Sequence, residues 1–439
     1  ALTLTLDVPT GTSNELYIKK GIFVDTDTNK ISGSAGALTI DADGTFRSGV
    51  LTATGNVPLL GGAKTYADGS TIELNAPSGG QRLEGGVGTP QYKNLIFSNG
   101  GTKITTAHSF DIKGTVTVQT GTTLDVDNNS FGGSETNLTL NGTGIYKVSG
   151  SGTKPDADGT YNLAATSTVE FYGSSATVVK LGSPAVSYGN VVVSGTNVSS
   201  TSATTGILFK SGGSFTVKQG ATFTFRQPGG LNGLVNSAVS STNNPTVTIE
   251  NTPSLSTIVY NGVGQSLTGR ADYGNLIINN TSGALTTSGD VTVSGTLTLT
   301  KGIVSTGANT IAVTNDTTPI SGGSNTAYIS GKLRLTYPAT GTNVARTFPI
   351  GKGAAYRPVT FTYDSNPGSR TVLIEQFETS FPGALPSTAS QFGTRYWNIT
   401  QSSVGASYKV TLNAGSATSS GTVVMIRREG TGASTSNEV

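Results

Sequence analysis

One segment occurs three times, and it limits what this chain can fold into. Ser70-Thr-Ile-Glu-Leu74 leads to Tyr92-Lys-Asn-Leu-Ile-Phe97, and Ser167-Thr-Val-Glu-Phe171 leads to Tyr188-Gly-Asn-Val-Val-Val193. The third copy runs from Ser256-Thr-Ile-Val-Tyr260 to Tyr273-Gly-Asn-Leu-Ile-Ile278. The tyrosines recur at a long period, roughly 90 residues, and repetition of that kind marks a modular array. What repeats is strand-forming sequence and a polar turn, with no reactive group, so the repeat reads as scaffold.

A second shared pattern follows each tyrosine: Ser109 to Val118, Gly213 to Phe223 and Gly289 to Leu299. Phe110 and Val291 stand at the same offset from Tyr92 and Tyr273, whereas Phe215 lies half as far again from Tyr188. That difference predicts a nine-residue insertion near Ser199 to Thr205. Within a copy, short apolar strands recur every six to nine residues with Gly or Asn at the breaks. This rhythm predicts the faces of a parallel β-solenoid. Tandem immunoglobulin-like sandwiches are the alternative, since about 90 residues also suits one such domain. The short strands, long turns and absence of a central tryptophan in each copy favour the solenoid.

Nothing recurs at helical spacing, and the 60 glycines with abundant Thr, Ser, Val and Asn suit short strands and tight turns. The class is all-β. Residues 1–69 read as an N-terminal β segment or cap, 70–320 as the repeat body, and 321–439 as a C-terminal β-sandwich. The last part has longer alternating strands and holds the only Trp, Trp397, read as a core residue. From Gly331 onward ten Lys/Arg oppose five Asp/Glu, a balance of +5 that leaves −3 elsewhere.

There are no cysteines, so disulfides and thiolate metal sites are excluded. Charged residues are 12% of the chain, against about 25% in ordinary soluble domains, so Thr, Ser and Asn carry the polar surface. The net charge of +2 makes no case for nucleic acid, and no apolar run is long enough to span a membrane as a helix. The chain starts at Ala1 without Met or signal peptide, which reads as a processed chain or a fragment.

The repeats and the segment Phe348-Pro-Ile-Gly-Lys-Gly-Ala-Ala-Tyr-Arg-Pro-Val-Thr360 together resemble the adhesin-like repetitive surface proteins of Bacteroidota, many of them exported by type IX secretion. The resemblance covers most of the chain from Ser70. It implies an extracellular, cell-surface location and a structural or adhesive role, and it implies no reaction. The sorting domain usual in that family is not recognisable before Val439. Asp316-Thr-Thr318 is similar to the short O-glycosylation acceptor of that group.

Candidate chemistry is sparse. The single histidine, His108, excludes multi-histidine metal sites and reads as a turn residue. Glu73 and Glu170 recur at one repeat position, but Val259 replaces them in the third copy, so a hydrolase carboxylate pair is not indicated and no cofactor is expected. Structural calcium has candidates in the Asp-x-Asp turns Asp25/Asp27, Asp41/Asp43, Asp125/Asp127 and Asp156/Asp158. Turn chemistry explains the same residues without metal. Tyr92, Tyr188 and Tyr273 read as stacked core or corner residues, with a sugar-stacking ladder as the rival reading.

The leading expectation is a non-catalytic filament subunit or surface stalk that assembles head to tail. The alternating strand Leu2-Thr-Leu-Thr-Leu6 supplies the assembly residues Leu2, Leu4 and Leu6, pairing with a neighbour's sandwich edge. The alternative is an adhesin whose basic sandwich binds acidic glycans through Arg346, Lys352, Arg357, Arg427 and Arg428. A polysaccharide-active β-helix enzyme is a third reading.

Overall fold

The computed structural model describes residues 15–25, 31–33, 36–51, 59–83, 92–105, 110–129, 131–132, 136–182, 184–231, 245–366, 368–383, 394–403 and 406–413. All regular structure among them is β, and the chain divides into two compact units, Ala1–Val259 and Tyr260–Val439. Together the units hold about 13 turns of parallel solenoid.

In the first unit, alternation sets the coil. Thr115-Val-Thr-Val118 buries Val116 and Val118 and turns both threonines outward, and the neighbouring strands follow the same rule. A seven-stranded parallel sheet stacks Gly21–Asp25, Gly44–Ser48, Thr71–Leu74, Asn94–Phe97, Thr115–Val118, Asn137–Leu140 and Tyr161–Leu163 in chain order. An eight-stranded sheet does the same from Gln81–Leu83 to Thr246–Ile249. Gly152–Lys154, Thr177–Val179, Val198–Ser200 and Thr222–Phe225 form a third ladder. Ile72, Leu95, Val116, Leu138 and Tyr161 are successive register partners. Their spacing makes one coil about 22 residues long, a short structural repeat that contacts only its neighbours.

This coil length explains the long repeat. From Tyr92 to Tyr188 the chain completes four coils and one further face, so the first two copies of the motif lie on different sheets. Thr71–Leu74 pairs with Asn94–Phe97 in the seven-stranded sheet. Thr168–Phe171 pairs with Ser187–Val193 in the eight-stranded one. The expected nine-residue insertion is corrected by the pairing. Val116 stacks on Leu95 and Phe215 on Val191, steps of 21 and 24, so the middle copy carries three extra residues.

The corners between faces are four-residue turns closed by a backbone hydrogen bond. Ser70 N donates to Ala67 O (3.0 Å), Ser167 N to Ala164 O (3.1 Å), and Thr122 N to Gln119 O (3.0 Å). Asp43, Gly69, Gly121 and Gly220 take left-handed φ at the third position of such turns. The fourth residue points inward and is small, as at Ser70, Thr122, Gly144, Ser167 and Ala221, because the neighbouring coils leave no room for more. The serines that open the first two motif copies, Ser70 and Ser167, are therefore corner residues. Inside, aromatic rings stack from coil to coil: Tyr66 on Tyr92 at 5.2 Å, Tyr92 on Phe110 at 6.4 Å, and Phe110 on Phe131 at 5.3 Å.

The N-terminal cap expected over 1–69 has no boundary at Ser70. Glu15–Ile18 already stacks in parallel on Ala37–Ile40, and Gly44–Ser48 on Thr71–Leu74. Hydrophobic alternation is the same on both sides of that position, so coils begin at the first described strand.

In the second unit, Leu297–Val313 wraps much of a turn, pairing in succession with Asn275–Asn279, Leu285–Thr287 and Val291–Val293. Parallel pairing runs past the expected boundary at 321, since Ile329 pairs with Ile350. Ala327–Tyr337 is the strand where the two architectures meet. It lies parallel to Leu297–Val313 through Leu333↔Ile311 and antiparallel to Arg370–Phe377 through Leu333↔Ile374. The sandwich then consists of the antiparallel run Ala327–Tyr337, Arg370–Phe377, Tyr396–Gln401 and a second sheet of Thr342–Phe348, Val359–Ser365 and Tyr408–Leu412. Its core holds Tyr337, Phe361 and Tyr363, with the Tyr337 and Tyr363 rings edge to face at 4.9 Å.

Candidate functional site

The repeated residues turn out to brace the coils. Tyr92, Tyr188 and Tyr273 are buried to 4%, 0% and 0% exposure, in keeping with the core or corner reading and against its rival, the sugar-stacking ladder. The Tyr188 hydroxyl donates to Lys180 O at 2.9 Å and that of Tyr273 to Thr268 O at 2.9 Å; burial raises both pKa values well above the usual tyrosine range. The asparagine two residues later joins three successive coils. Asn94 Nδ2 donates to Ser70 O (3.3 Å) while its Oδ1 accepts from Thr115 N (3.1 Å). Asn190 Nδ2 donates to Ser167 O (3.1 Å) and its Oδ1 accepts from Ser214 Oγ (2.7 Å).

Glu73 and Glu170 hold equivalent places. Glu73 meets Arg47 at 2.7 Å on the preceding coil and accepts from Ser98 Oγ (2.6 Å) on the next. Glu170 meets Lys147 at 3.5 Å and accepts from Ser194 Oγ (2.6 Å). A signal for this was present in the sequence. The residue six beyond the motif tyrosine is Ser98 or Ser194 where the glutamate occurs, and Asn279 where Val259 replaces it. Such part-exposed ion pairs contribute up to about 1 kcal/mol each.

The Asp-x-Asp turns are occupied by local contacts. Asp41 accepts from Tyr17 OH (3.0 Å), and Asp43 is left-handed with Lys20 at 3.4 Å. Asp125 Oδ1 accepts from Asp127 N (3.0 Å) and from Tyr172 OH (2.7 Å), and Asp127 is left-handed. Asp156 pairs with Lys154 at 2.7 Å, and Asp158 is exposed. Asp25 uses its backbone oxygen to accept from Gly49 N (2.7 Å). Asp27 and His108 lie outside the described residues. No three His, Cys, Asp or Glu side chains converge among the described residues.

The three described residues of the glycan patch are not brought together as a set of available cations. Arg346 lies over the Tyr337 ring at 5.8 Å and donates to Asp316 O. Arg357 is paired with Glu378 at 3.1 Å, and Lys352 is exposed at the turn of a short hairpin. Arg427, Arg428 and the assembly residues Leu2, Leu4 and Leu6 lie outside the described residues. Trp397, expected in the core, faces inward opposite Gln376 but is only half-buried, because its strand has a ladder partner on one side alone among the described residues.

Of the five large apolar side chains exposed among the described residues of the first unit, three lie on the first coil. Tyr17, Ile22 and Val24 are 46%, 57% and 46% exposed. Gly21–Asp25, which carries two of them, pairs with Gly44–Ser48 and no other described strand. No family model, curated protein or solved structure matches the chain. Among the described residues no helix is long and apolar enough to cross a membrane.

Proposed function

We propose that this chain is a non-catalytic extracellular structural protein, a filament subunit or cell-surface stalk that assembles head to tail. The observation that carries this reading is the first coil, where a strand with one ladder partner among the described residues exposes Ile22 and Val24 at 57% and 46%. A strand edge with open backbone groups and apolar side chains is a ready template for another chain. Stacked parallel ladders also suit a load-bearing role, since every added coil repeats the same backbone bonding. Repeated side chains tie coil to coil, as Asn94, Asn190, Glu73 and Glu170 do. The uncharged Thr, Ser and Asn surface without cysteine suits an extracellular location. Leu2 to Leu6 remain the proposed donor strand.

Sedimentation of the double variant Ile22→Lys/Val24→Lys tests this. Both side chains point outward, so folding is expected to survive while assembled species fall at least about tenfold, the effect of losing roughly 1.4 kcal/mol per joint. Unchanged assembly by a folded double variant would remove the first coil from the joint.

A further inference from the structure

On the outer face of the sandwich, the geometry points to a saccharide-binding platform built by Arg370–Phe377, Tyr396–Gln401 and the flanking Ala327–Tyr337. The platform rests on side chains of the sheet face, not on the exposed Ile22 and Val24 that carry the assembly reading.

Register puts three rows of side chains on that face. Phe377 opposes Tyr396, Glu375 opposes Asn398, and Leu373 lies between Arg334 and Thr400. The alternate residues Val372, Ile374 and Gln376 are buried, so these rows are the ones that look outward. Phe377 and Tyr396 stack almost parallel at 4.5 Å and 6°, with Phe381 edge-on to Tyr396 at 5.4 Å. All three rings are half-buried, whereas Asn398, Thr400 and Arg334 are exposed. Rows two residues apart in a strand are about 7 Å apart, so the polar pair lies within one sugar ring of the aromatic pair.

What singles out this face is uncommitted hydrogen-bonding capacity. Elsewhere on the sandwich, apart from Lys352 at its hairpin turn, the charged groups described are engaged: Arg357 with Glu378, Lys409 with Asp364, Arg370 with Ser403 O, and Arg346 with Asp316 O. Among the described residues, no hydrogen bond or ion pair engages the side chains of Glu375, Asn398 or Arg334. A carboxylate, a carboxamide and a guanidinium beside an aromatic pair match the two-sided chemistry of a pyranose. Its C–H face packs on a ring, and its hydroxyls both donate and accept. A purely apolar partner would leave those three groups desolvated and unpaired, which opposes binding.

The only tryptophan, Trp397, faces inward from its strand, away from the platform, so binding is read by calorimetry. Full-length protein would be titrated with cellohexaose, xylohexaose, mannohexaose, chitohexaose and tetragalacturonate, and the heat of binding recorded for each. Saturable binding of at least one of these is expected. Asn398→Ala, an exposed position that leaves the fold intact, should weaken that binding about fivefold. Tyr396→Ala, checked for folding by circular dichroism, should weaken it at least tenfold. No saturable binding across the panel, or binding that both folded variants retain at full strength, would overturn the proposal.

Discussion

A Gly189→Ala variant is expected to lose about 3 kcal/mol of stability or more, and Gly189→Val to fail to fold. A methyl group on Gly189 would sit 2.4 Å from Ala164 O, 2.6 Å from Ala165 O and 2.7 Å from Ser167 O. All three are backbone atoms of the corner on the preceding coil, so no side chain can swing aside. The coils would have to separate locally, breaking bonds such as that from Asn190 N to Ser167 O at 2.8 Å. Urea unfolding midpoints of wild type and Gly189→Ala measure the effect. A midpoint unchanged within error would show that these coils are packed more loosely than the geometry requires.

The second large effect has the opposite sign. Lys103 has 0% exposure and lies in an inward column between Gln81 and Leu124, with its ammonium donating to Ala76 O. Burial lowers its pKa to about 8. Below pH 8 the folded and unfolded chains are both protonated, and the cost of burying the charge is fully present. Between pH 8 and about 10.4 the unfolded chain binds the extra proton, so stability should rise with pH at up to about 1.4 kcal/mol per unit. Above about pH 10 the buried tyrosines reverse the trend. Their raised pKa values keep the folded chain protonated while the unfolded chain ionises. Lys103→Met should stabilise the protein at pH 7 by about 1–2 kcal/mol after allowing for the lost hydrogen bond to Ala76. It should also remove the rise between pH 8 and 9.5. A variant less stable than wild type at pH 7 would mean that Lys103 is held by more than a carbonyl.

The face of each coil was legible in the sequence, because strict alternation in segments such as Thr115 to Val118 leaves one side apolar. The coil length was not. Corners and loops between faces vary in length, and the most visible repeat recurs after four coils and a face, so it hides the much shorter period of a single coil. The motif also misleads at its middle position. The sequence varies there, with Lys93, Gly189 and Gly274, yet Gly189 meets three carbonyls of the preceding coil that only stacking brings close. Site residues were harder still. Arg346 and Arg357 look like available cations in a basic segment, but their partners Asp316 and Glu378 are 30 and 21 residues away in sequence. The platform of Phe377, Tyr396, Glu375 and Asn398 depends on antiparallel register, which no local pattern encodes.

Head-to-tail assembly is tested most directly by electron microscopy of the native purified material. Regular filaments with an axial repeat close to the length of one subunit are the predicted result. Isolated single copies at high protein concentration, with Ile22 and Val24 still open to solvent, would contradict it.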